Sequence, residues 1–145
     1  MGAMKLADIL VTPLRRIENA GGDVLHGMKK SDSGYSGFGE AYFSWVSTGA
    51  TKAWKRHTQM TMNVVVPVGQ VKFVFHCINS DGVEEFRVEE IGEDRYARIT
   101  VPPDIWFGFQ GLHTPQNLLL NIANIPHDPN ELERLSLTDI NYDWN

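Results

Sequence analysis

Residues 51–69 read TKAWKRHTQMTMNVVVPVG. Two lysines, an arginine and a histidine crowd around Trp54, and a β-branched run ending in Pro-Val-Gly follows at once. An extended chain sends successive side chains to opposite faces. On that ruler Lys55, His57, Gln59, Thr61 and Asn63 share one face, while Trp54, Arg56, Met60, Met62, Val64 and Val66 share the other. Polar groups are costly on a dry face unless they find partners. The polar row therefore belongs in water or at the polar mouth of a cavity.

On both sides of this stretch, glycine and proline interrupt the chain at short intervals: Gly21-Gly22, Ser33-Gly34, Gly49, Asp81-Gly82, Gly92, Pro102-Pro103, Gly111 and Pro126. Between them lie short segments rich in β-branched and aromatic residues, at 40–47, 59–66, 70–78, 85–91, 96–101 and 117–124. Many short strands at such spacing, without helical periodicity between them, predict an all-β sandwich or barrel. Only 4–10 and 129–135 are candidate helices, the second with Asp128 as N-cap and Glu131 as its capping-box partner. The segment 70–78 alternates Val71, Phe73, Phe75 and Cys77 against Lys72, Val74, His76 and Ile78. Lys72 and His76 are thereby expected to share a polar pocket with Lys55 and His57, or else to lie on a solvent-facing sheet.

The chain has 145 residues, the size of one domain, taken here as 4–145 because Met1-Gly2-Ala3 before Met4 resembles a tag remnant. A formal net charge of -5 argues against a nucleic-acid binder, which needs a basic face. The locally basic 52–56 segment still suits an anionic small molecule. Cys77 is the single cysteine, so no internal disulfide forms; a reducing cytoplasm and a small buried hydrophobe are the expectations. No apolar run is long enough for a membrane span, and the first residues lack the apolar core of a signal peptide.

The succession FGEAYFSWVSTGATKAWKRH, VVVPVGQVKFVFHC, RITVPPDIWFGFQG and LLLNIANIPHDPNELER resembles the dTDP-4-dehydrorhamnose 3,5-epimerase family, the RmlC-like cupins. The likeness runs from about residue 22 to residue 144. It implies a cupin jelly roll (a double-stranded β-helix) with the ligand site inside, usually in a homodimer. It also implies proton transfer beside the ketone of a nucleotide-linked 4-keto-6-deoxy sugar, with no metal or organic cofactor. In the family an Arg-Gly-Leu-His sequence supplies a cation for the sugar nucleotide and a histidine as base. Here Lys52-Ala53-Trp54-Lys55 stands there, with His57 two residues on. The family's acid is a tyrosine, whereas the aligned segment 125–129 reads Ile-Pro-His-Asp-Pro.

Removing a proton beside a ketone needs a base in reach and a donor for the developing enolate. His57 is one candidate, since an imidazole titrates near neutrality without adjustment. Lys55 is the other, as base or as imine-forming amine, if burial and neighbouring cations lower its pKa. Lys52, Gln59, Asn63, Lys72, His76 and Asn121 are the candidate substrate-binding groups. One imidazole at this position, with no carboxylate following before Gly69, falls short of a transition-metal site. Two readings stay open: an epimerase or isomerase of an activated sugar, and a binding module that kept the cavity and lost the acid–base pair.

Overall fold

The computed structural model describes residues 5–145. The strands are β1 (Leu10–Pro13), β2 (Arg16–Ile17), β3 (Val24–Leu25), β4 (Glu40–Ser47), β5 (Thr51–His57), β6 (Met62–Val68) and β7 (Gln70–Ile78). They continue with β8 (Glu84–Gly92), β9 (Ala97–Val101), β10 (Trp106–Gly111), β11 (Gln116–Ala123) and β12 (Leu132–Arg134). Two five-stranded antiparallel sheets result, in the orders β1-β9-β6-β11-β4 and β12-β5-β10-β7-β8, with β2 and β3 forming a small hairpin apart. This is the all-β jelly roll expected. The candidate helices are single 3-10 turns at Leu6–Asp8 and Pro129–Glu131; Met4 and the possible tag remnant lie outside the described residues. Asp128 does cap the second turn by accepting from the Asn130 amide, but Glu131 turns elsewhere.

The inner faces of both sheets meet in one core, where Val46, Val64, Val66 and Ile99 pack against Val71, Phe73, Phe75, Ile91 and Phe107. Burying so many β-branched and aromatic side chains is the main favourable term for such a sandwich. A second, smaller cluster lies on the outside of the second sheet. There Trp54, Val74 and Ile140 are buried beneath Tyr142 and Trp144 of the C-terminal segment. Cys77 is half-buried and unpaired, and burial pushes its thiol pKa up, as suits an inert packing residue.

The alternation expected across 51–69 breaks twice. In the β5–β10 pairing Phe107 faces Lys55 while Gly108 faces Ala53, so Trp54 is an extra residue, a β-bulge. Lys52 faces Phe109 across the same ladder, and cross-strand neighbours share a face. The bulge thus puts Lys52 and Lys55 on one face although three positions separate them. The second break is the irregular corner at 58–61, where the chain leaves the second sheet and enters the first. After it, Met60, Met62 and Val64 point to the same interior as His57, and Asn63 points away.

Candidate functional site

Between the sheets, where the apolar core stops, a cavity of about 150 Å³ opens. At roughly 30 Å³ per water it holds about five waters' worth of space. Its floor is apolar, from Met62, Val64, Phe73, Phe107 and Leu119. Its polar groups come from four places: Glu40, Tyr42 and Ser44 on β4, Lys52, Lys55 and His57 on β5, Asn121 on β11, and His127 with Arg134 near the C-terminal strand. An apolar floor with a few convergent polar groups is the ordinary form of a small-molecule site.

The structure therefore brings Lys52, Lys55, His57 and Asn121 together and leaves four other expected groups outside. Gln59 is exposed at the corner, contributing only its amide. Asn63 is buried on the far face of the first sheet, donating to the Gly34 carbonyl and accepting from the Thr100 hydroxyl. Lys72 and His76 lie on the outer face of the second sheet, because their register partners on β10 are Gln110 and Trp106 rather than the inward Phe107 and Phe109. Lys72 stands over the Tyr142 ring, 5.3 Å from its centroid, and His76 hydrogen-bonds Glu84 at 2.9 Å. Neither of those two lines the cavity that holds Lys55 and His57.

His57 has a partner that the sequence reading assigned to helix capping. Pairing of β12 with β5 sets Leu132 opposite His57, and this delivers the adjoining Glu131. The Glu131 carboxylate, 1% exposed, lies 2.6 Å from His57 Nδ1 and accepts from the amides of Met60 and Gln59 at 2.9 and 3.2 Å. Burial pushes its pKa up, but the hydrogen bond from His57, those two amides and the imidazole's charge outweigh it. The carboxyl ends below its usual range. An ionised carboxylate at Nδ1 fixes that nitrogen as the N–H and leaves Nε2 as the basic one. Phe107 stacks on the imidazole with centroids 5.9 Å apart and holds its plane.

Across the cavity stands Tyr42, which the sequence reading missed. Its hydroxyl accepts from Asn121 Nδ2 at 3.1 Å, so its own proton is directed elsewhere. The Asn121 carbonyl oxygen is buried without a hydrogen-bond partner among the described residues. His127 is tied to β4 by its amide, which donates to the Glu40 carboxylate. Lys52 Nζ donates to the Trp45 carbonyl at 3.3 Å. Burial foremost, then Arg134 and Lys52, holds the Lys55 pKa below the usual lysine value. The site thus has a steered base on one wall, a phenol on the other, and cations at the rim.

No protein-family model matches the chain. A probable low-salt glycan biosynthesis epimerase, Agl13 of Haloferax volcanii, is 30% identical over 91 residues, which are 61% of this chain and 58% of that protein. The chain thus spans less than two thirds of that relative. Among solved structures, a dTDP-4-dehydrorhamnose 3,5-epimerase of Bacillus anthracis, with TDP and pyrophosphate bound, superposes with a TM-score of 0.79 at 14% identity, over 94% of this chain and 83% of that one. At that identity the likeness speaks for the fold alone. A dTDP sugar isomerase of Desulfovibrio desulfuricans superposes with a TM-score of 0.85 at 34% identity, covering 90% of this chain and 85% of that one. With that identity carried over nearly the full length of both molecules, the chain belongs to the RmlC-like family of dTDP-sugar epimerases and isomerases.

Proposed function

We propose that the protein is an epimerase or isomerase of a nucleotide-linked 4-keto-6-deoxy sugar, serving glycan or deoxysugar biosynthesis. The observation that carries this reading is the buried His57–Glu131 pair on the cavity wall. In the scheme, His57 Nε2 removes a proton from the carbon beside the ketone. Glu131 stabilises the imidazolium that forms and keeps the ring in place. Tyr42, opposite, donates its proton to the developing oxyanion or to the far face of the ring carbon. Lys52 and Arg134 at the rim take the diphosphate, for which a charged rim around an apolar floor is suited. The dyad also disfavours the binding-module alternative, since a cavity used only for holding ligand has no need of a carboxylate-steered base.

Deuterium wash-in tests the reading directly. Incubated in heavy water with a panel of TDP-4-keto sugars, the protein is expected to exchange a ring proton adjacent to the ketone. His57→Gln is expected to slow that exchange by about 10²–10⁴-fold, the usual worth of a positioned base. No exchange at any ring carbon across the panel would falsify the proposal. Two finer points belong to the same reading: the site of action is the cytoplasm, and the working form is a homodimer joined through the outer face of β4.

A further inference from the structure

Strand β5 and its turn carry four cationic or imidazole side chains, and three of them have partners. Arg56 pairs with Glu133 at 2.8 Å, His57 with Glu131, and Lys52 donates to the Trp45 carbonyl. Lys55 forms no ion pair among the described residues. Its charged neighbours are cations instead: Arg134, directly opposite in the β12 register, and Lys52. On its other side stands Phe107, and the amine lines the cavity together with His57, two residues along the same strand. Partial withdrawal from water among like charges penalises the ammonium and lowers the Lys55 pKa, so the nucleophilic free amine is easier to reach here than on an exposed lysine. Once it has given up its proton, such an amine is a competent nucleophile towards a ketone bound in the cavity it lines.

We infer that Lys55 acts covalently, its Nζ condensing with the sugar ketone to an imine during the reaction. This rests on the keto-sugar reading above and adds an intermediate to it. The Nζ lone pair attacks the carbonyl carbon as the C=O π bond breaks, and an amine proton passes to the oxygen to give a carbinolamine. That hydroxyl then takes a proton from solvent and leaves as water, and the nitrogen lone pair closes the C=N bond of a protonated imine. The iminium draws electrons from the neighbouring C–H bond. His57 Nε2 removes that proton, leaving a neutral enamine where an enolate would otherwise sit above an apolar floor. Return of the proton and addition of water regenerate the ketone and the free amine. No oxidant or further reactant enters.

The test is reductive trapping. Wild-type protein is incubated with TDP-4-keto-6-deoxyglucose and sodium cyanoborohydride, digested, and mapped by mass spectrometry, with deuterium wash-in followed in parallel. The expected result is a reduced adduct concentrated on the peptide bearing Lys55. Lys55→Arg, which keeps the charge and removes the nucleophile, is expected to lose the adduct and drop exchange to the uncatalysed level while still binding TDP. If that variant does not fold, adduct mapping in the wild type decides alone. Ring-proton exchange without an adduct, or an adduct spread evenly over surface lysines, overturns the covalent step and leaves the His57 scheme intact. Absence of both exchange and adduct overturns the two together.

Discussion

The Glu131 carboxylate receives the His57 imidazole and two backbone amides at once, all from the β5–β6 corner. Its role is therefore double, steering the base and closing the corner. A carboxyl with a lowered folded-state pKa contributes stability that is full above the unfolded value. That contribution is lost as pH falls through the folded value, because the unfolded chain then binds the proton first. Urea midpoints measured downward from neutrality are expected to fall in the acid range, and Glu131→Gln to flatten that slope. The same variant is expected to lower ring-proton exchange by about 10²-fold; unaltered exchange would remove Glu131 from the mechanism. For Lys55 the sign is set by its lowered folded pKa: between that value and the unfolded one, only the unfolded chain holds the proton, so its contribution rises with pH across that window.

At the level of strands, the bulge at Trp54 decides which side chains reach the cavity. Its amide donates to the Leu135 carbonyl and its indole to the Leu137 carbonyl, while the ring packs under Tyr142 and Trp144. Gly108 lies against the bulge, and a Cβ there would meet the Ala53 methyl and the Trp144 ring. Gly108→Ala is expected to destabilise by about 1–3 kcal/mol through overpacking. It is also expected to lower exchange beyond what the lost fold explains, because Lys52 and Lys55 move with the displaced strand; thermal melts and kcat on the same sample separate the two effects. Local pattern made the all-β class and most of the long strands legible, since turn residues and β-branched runs act over a few residues. The jelly roll itself was implied by the family resemblance, and β10 left no segment of its own in the pattern. Parity along 51–69 was not legible, because a bulge and a sheet-to-sheet corner each shift it by one without a sequence mark. Glu131 escaped for a different reason: only long-range pairing of β12 with β5 brings it 2.6 Å from His57. Tyr42 did leave a signal, in that β4 alternates polar Glu40, Tyr42 and Ser44 against Ala41, Phe43 and Trp45, and the polar set faces inward.

For the molecule as a whole, the formal charge of -5 contrasts with a cavity rim carrying Lys52, Lys55 and Arg134 against Glu40. A basic focus on an acidic body attracts a diphosphate, and salt screens the attraction within about 10 Å at 0.1 M. TDP affinity is expected to weaken with ionic strength, and the double change of Lys52 and Arg134 to Gln to flatten that dependence in calorimetric titrations. The outward face of β4 bears on assembly. Its Phe43 and Trp45 are 64% and 54% exposed, and β4 is one of the two edge strands of the first sheet. Large aromatics on an open edge invite aggregation unless a specific partner covers them. In the homodimer proposed above, a second copy with the same face against its twin would cover both at once and would stiffen the strand that holds Tyr42. Sedimentation velocity is expected to show a dimer for the wild type and a monomer for the paired Phe43→Ser and Trp45→Ser variant. Because those side chains point away from the cavity, their loss is expected to reduce exchange only several-fold, through a looser β4. A wild-type monomer at micromolar concentration would leave this aromatic edge to some other covering and remove the dimer from the reading.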